Sequence, residues 1–120
     1  ATTETWNGSG WTEVNDLNTA RAKMGGAGTV SSALIFGGEI STGVTAVTES
    51  WNGTSWTEVS DLNSGRKILG DAGSSNTNAL CFGGFITAPS ALNESWNGSA
   101  WTETTEMNEG RYSGGSAGAS

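Results

Sequence analysis

The sequence has no histidine, and its five Lys and Arg residues stand against twelve Asp and Glu, a formal charge of −7. A phosphate backbone would meet net repulsion instead of a basic patch, so nucleic acid is not expected as a partner. Cys81 is the single cysteine, which excludes an internal disulfide framework and leaves the redox compartment open. No apolar run approaches the roughly 18 residues of a membrane span. The opening Ala1-Thr2-Thr3-Glu4 has neither a basic region nor a signal-type apolar stretch, so membrane insertion is not expected. An initiating Met is missing as well, and the expectation is a processed product or a piece of something longer.

Glycine, by contrast, is abundant, at 19 residues. At that density it belongs where the backbone turns or approaches a neighbour closely, which predicts many short strands and many turns. Six Trp and three Phe against one Tyr concentrate the large apolar area in a few side chains, each able to bury roughly 150–250 Å². Those residues should set the packing.

Self-comparison supplies the strongest signal. Glu4-Thr5-Trp6-Asn7-Gly8 returns as Glu49-Ser50-Trp51-Asn52-Gly53 and as Glu94-Ser95-Trp96-Asn97-Gly98, an offset of 45 both times. The same offset carries Trp11-Thr12-Glu13 to Trp56 and Trp101, Asp16 to Asp61 and Glu106, and Arg21 to Arg66 and Arg111. A period of this size means a solenoid, a propeller or an array. Apolar runs ending in Gly-Gly, Ala33 to Gly37-Gly38 and Ala79 to Gly83-Gly84, lie between the Trp-rich blocks. Each repeat therefore reads as four short strands. The first is Gly-rich (Met24 to Val30, Leu69 to Ser75), and the second is the apolar run, covered on both faces. The third and fourth form a hairpin closed by Asn-Gly, in the first copy Thr3 to Trp6 and Trp11 to Val14. Leucine-rich and helical repeats are set aside, since the Leu pattern is missing and no window keeps apolar residues at helical spacing. WD-type blades are set aside because no Gly-His or Trp-Asp signature appears.

Gly-Gly closing the second strand, two aromatics separated by a short turn, and an Arg about ten residues on together resemble the kelch repeat. The departures are Trp6, Trp51 and Trp96 where that family usually has Tyr, and a shorter step to the second aromatic. The near-identical copies, rich in Trp-Asn-Gly and Trp-Thr-Glu, are also similar to degenerate kelch-like arrays of marine bacteriophages and environmental sequences. The resemblance implies an all-β chain of kelch-type β-propeller blades, about 2.7 four-stranded antiparallel blades at a period of 45 residues, in a single repeat domain over 1–120. Counted from the second strand, the segments are 1–32, 33–77 and 78–120. A closed propeller has about 4 to 8 blades. The ring is thus not closed within these residues, and either a longer chain or self-association of copies head to tail is expected to complete it.

The repeated residues are expected to be structural. Trp6, Trp11, Trp51, Trp56, Trp96 and Trp101 could form platforms for sugars or prolines, but recurrence at one phase and the scarcity of other large apolar residues favour packing between blades. Arg21, Arg66 and Arg111 could bind carboxylates or phosphates, but a repeated pair with a carboxylate or with strand-end carbonyls needs no ligand. The recurrent Glu4, Glu49 and Glu94, and Glu13, Glu58 and Glu103, are expected to be mostly solvated charges that protect strand edges. Asn7, Asn52, Asn93 and Asn97 satisfy the N-glycosylation pattern, which three of them owe to the hairpin turn.

No residue set points to catalysis. The copper oxidase chemistry found on a kelch-type propeller needs His and Tyr ligands, and here there is no His and only Tyr112. Cys81, beside Phe82 in the second strand, is expected to be a buried small hydrophobe. Gly25-Gly26-Ala27-Gly28 lacks the strand-to-helix context of a phosphate loop. No cofactor or metal is expected. The sequence implies a non-catalytic structural or interaction module that recognises protein or glycan, in an extracellular or virion-surface setting, or else a self-assembling repeat.

Overall fold

Asn-Gly turns and alternating Trp and Thr favour short antiparallel hairpins, and the observed strands follow them. The computed structural model describes residues 1–119 and is all-β, with no helix among the described residues. Ser120, the last residue of the segment 78–120, lies outside them. Strands β1 (Thr3–Trp6) and β2 (Trp11–Val14) form a two-stranded hairpin with Trp6 opposite Trp11. Next come β3 (Gly25–Thr29), β4 (Ser32–Phe36), the small hairpin β5 (Glu39–Ile40) and β6 (Gly43–Val44), β7 (Thr48–Trp51) and β8 (Trp56–Val59). The second set is β9 (Gly70–Ser75), β10 (Asn78–Phe82), β11 (Asn93–Trp96) and β12 (Trp101–Glu103).

Strands β3-β4-β7-β8 make one four-stranded antiparallel meander and β9-β10-β11-β12 another. Their second and third strands pair in the same register, with Ala33 opposite Trp51 and Ala79 opposite Trp96, whereas β9–β10 has a register shift between Asn78 and Leu80 that β3–β4 lacks. The chain order is thus a third–fourth hairpin, two complete meanders, and a last segment. Residue Ser116 of that segment stands to β9 as β9 stands to β3. The Gly26 amide donates to Asp71 Oδ2 at 2.8 Å, and the Asp71 amide donates to Ser116 Oγ at 3.0 Å, each across 45 residues.

The hairpin turns are built alike. Asn7, Asn52 and Asn97 each turn Oδ1 back to accept from the amides two and three residues on, at 2.9–3.0 Å. The following glycines hold φ between +94° and +99°, a region only glycine enters without strain.

The core lies between the two meanders: Leu34, Phe36, Leu62, Ala79, Cys81, Trp96 and Trp101 are all buried. Phe36 meets Trp101 edge to face with ring centres 4.9 Å apart. Burial of each large apolar side chain contributes about 1.5–3 kcal/mol. The Gly-Gly pairs are what let the next segment in. The Gly38 amide donates to the Arg66 carbonyl at 2.9 Å and the Gly84 amide to the Arg111 carbonyl at 2.8 Å. A Cβ on Gly37 or Gly83 would stand 2.7 or 2.6 Å from those same carbonyl oxygens, so any side chain there would push the connecting segment away.

Candidate functional site

A carboxylate and a guanidinium leave water together only if each is paired and hydrogen-bonded. The structure repeats that arrangement between successive sheets. Arg66, on the segment after β8, donates from Nη2 to Glu94 Oε2 on β11 at 2.7 Å, and neither side chain has any exposed surface. One period earlier, Arg21 donates to Glu49 Oε2 on β7 at 2.8 Å, again with both side chains fully buried. The Arg21 guanidinium also reaches the Val47 carbonyl, and Arg66 Nη2 lies 3.5 Å from the Cys81 carbonyl. The amide and Nδ2 of Asn63 both donate to Glu94 Oε1, at 2.6 and 2.9 Å. A clamp of this kind ties each sheet to the one before it.

This corrects the expectation for two of the glutamates. Glu49 and Glu94 are not solvated edge charges but wholly buried partners of Arg21 and Arg66. Glu13, Glu58 and Glu103, on the opposite phase, are exposed. The recurrence of Arg and of Glu, and a carboxylate partner for Arg, were legible in the sequence; the unused signal was the step from Arg to Glu, 28 residues in both pairs. Asp16 instead accepts from the Thr3 amide at 3.0 Å.

The tryptophans show a gradient along the chain. Trp51 and Trp96 are 3% and 2% exposed, whereas their counterpart Trp6 is 47% exposed. In the second set, Trp101 is buried, Trp56 half-buried and Trp11 65% exposed. Indole nitrogens explain the buried ones. Trp51 Nε1 donates to the Val30 carbonyl and Trp96 Nε1 to the Asn76 carbonyl, each at 2.9 Å, and Trp101 Nε1 donates to Thr48 Oγ1 at 3.1 Å. Trp56 Nε1 is buried with no partner and belongs to a side chain lining a cavity of about 260 Å³ with Trp6 and Trp51.

The other expected positions are placed as follows. Asn7, Asn52 and Asn97 sit on exposed turn tips; Asn93 is different, half-buried at the start of β11 with its Oδ1 buried and unpartnered. Cys81 is fully buried, and burial pushes its thiol up to about 12, far from a nucleophile's range. Lys23 and Lys67 converge on Glu39 at the start of β5, Lys23 Nζ at 2.6 Å from Oε2 and Lys67 Nζ on Oε1. Hydrogen bonds from Lys23 and then Lys67 hold the Glu39 carboxyl down at about 2. A cavity of about 430 Å³ between β3, β9 and residues 116–118 is lined mostly by Gly and Ala, and its carboxylate, Asp71, is engaged by the Gly26 amide.

Arg111 does not join a clamp among the described residues: its side chain is exposed, as is Glu4. Compared with protein-family models and with curated proteins, the chain matches none.

Proposed function

We propose that the two meanders are successive blades of a kelch-type propeller, and that the chain is a non-catalytic structural and recognition module. The observation that carries this reading is the buried Arg–Glu clamp repeated between successive sheets, together with the side-by-side first strands joined through Asp71 and Ser116. Both repeat at a period of 45, as radial stacking of like blades requires. The carboxylates most protected from water, Glu49 and Glu94, are committed to arginines, a structural use of buried charge that suits a scaffold.

Recognition in this reading belongs to the connections between the second and third strands. They are where the repeats differ most: Glu39 to Val47 carries the β5–β6 hairpin, while the counterpart over 85–92 is bridged only at Phe85 and Pro89. Variable loops on a rigid frame are the usual place for partner contacts, and a protein or glycan on a virion or cell surface is the partner class. The test is binding of the purified chain to immobilised glycan and protein panels before and after residues 40–46 are exchanged for a copy of 86–91, which leaves Glu39 and Val47 in place. A ligand lost on exchange at unchanged thermal stability supports the assignment. A ligand retained, or turnover in hydrolase or oxidase screens, overturns it.

A further inference from the structure

The contact set between the two meanders has four parts. Arg66 pairs with Glu94, the Trp101 ring stands on Phe36, Trp101 Nε1 donates to Thr48 Oγ1, and Trp96 lies buried beside them. The outer face of the second meander carries the acceptor half of the same set one period on, in Phe82, Asn93 and Arg111. That half is unmatched. Arg111 is exposed, Asn93 Oδ1 is buried with no hydrogen-bond partner, and a cavity of about 170 Å³ lies against Phe82, Met107 and Arg111. The β1–β2 hairpin carries the donor half, in Glu4, Trp6 and Trp11 at the positions of Glu94, Trp96 and Trp101, and these three are exposed.

We propose that the β1–β2 hairpin of one copy docks on the Phe82–Asn93–Arg111 face of a second copy. Arg111 pairs with Glu4, and the Trp11 ring covers Phe82. The contact is heterologous, head to tail, and rests on the reading of the meanders as like blades. Charge complementarity names the occupant: Arg111, which has no carboxylate partner among the described residues, meets the carboxylate of the hairpin whose counterparts on β7 and β11 are both arginine-bound. Exposed tryptophans are the hallmark of an interface anchor.

The test is sedimentation velocity of the 120-residue chain over roughly 1 to 200 µM, the span in which a modest interface is populated. Concentration-dependent oligomers are expected. Arg111→Glu and Glu4→Arg should each weaken association at least about tenfold, and the doubly reversed chain should recover to within about threefold, as a direct pair requires. Both positions are exposed, so circular dichroism and thermal melting should not change in the single variants at the lowest concentration, where the chain is dissociated. A monomer throughout, or oligomers indifferent to both reversals, overturns the docking. A folded monomer with a radius of gyration near the 13.7 Å of one chain would leave the blade reading standing. An expanded chain would take that reading down with it.

Discussion

At the scale of single residues, the clamp makes the largest difference, because a buried charge that loses its partner cannot recover its hydration. Glu94→Ala should lower unfolding free energy by about 3–5 kcal/mol in urea titrations. The joint replacement Arg66→Met with Glu94→Leu should cost less than Glu94→Ala alone, since it buries no orphan charge. Thr48→Val keeps shape but strands the Trp101 indole, and is expected to cost about 1–3 kcal/mol. Thr3→Val, at the equivalent position on β1, should stay within about 0.5 kcal/mol, because Trp56 Nε1 has no partner to lose. Glu39 sets an acid-side signature. Its folded value near 2 lies below the ordinary 4.5, so its contribution is complete above about 4.5 and disappears as pH falls through about 2. Melting temperature measured across that window should fall less steeply in Glu39→Gln, and salt should shrink the difference because the pair is partly exposed. A carboxylate partner for the arginines was legible, but which carboxylate was not: a glutamate in a Thr-Glu-Ser-Trp strand reads the same whether water or an arginine from the previous repeat faces it.

At the scale of elements, strand positions were legible because they depend on local chemistry. The first hairpin spans the residues that Asn-Gly and the paired tryptophans indicate, and β9 begins one residue after the expected start at Leu69. The first strand of the earlier repeat is likewise trimmed at both ends, to Gly25–Thr29 from an expected Met24 to Val30. The β5–β6 hairpin was not foreseen, being two residues a side in a connection whose length differs between repeats. Nor was the backbone at Lys23 and Ile68, where non-glycine residues one period apart hold φ at +57° and +54°. The Gly-Gly pairs, read simply as strand ends, turn out to be sites of close approach. Gly37→Ala combines a φ of +65° with a Cβ 2.7 Å from the Arg66 carbonyl. It should cost about 2–4 kcal/mol in denaturant unfolding, whereas Gly10→Ala, with open space around its Cβ, should be close to neutral.

At the scale of the whole molecule, burial is uneven. It is deepest between the two meanders and, among the strands, thinnest at the β1–β2 hairpin, where Trp6 and Trp11 keep about half or more of their surface in water. Local opening free energy should follow that gradient. Amides of β10 and β11 are expected to exchange slowest and those of β1 and β2 fastest in hydrogen exchange read by mass spectrometry; uniform protection would contradict the gradient. At high protein concentration the head-to-tail docking should slow exchange in β1 and β2 selectively. The sequence by itself determined the period, the four-strand grammar of each repeat and the turns that close its hairpins, because these rest on alternation, glycine and Asn-Gly chemistry acting over a few residues. Only the tertiary structure decided which glutamates are buried, which indoles are satisfied and which of three equivalent arginines stands free. Those outcomes depend on whether a neighbouring sheet, 28 or more residues away along the chain, is present to receive the side chain.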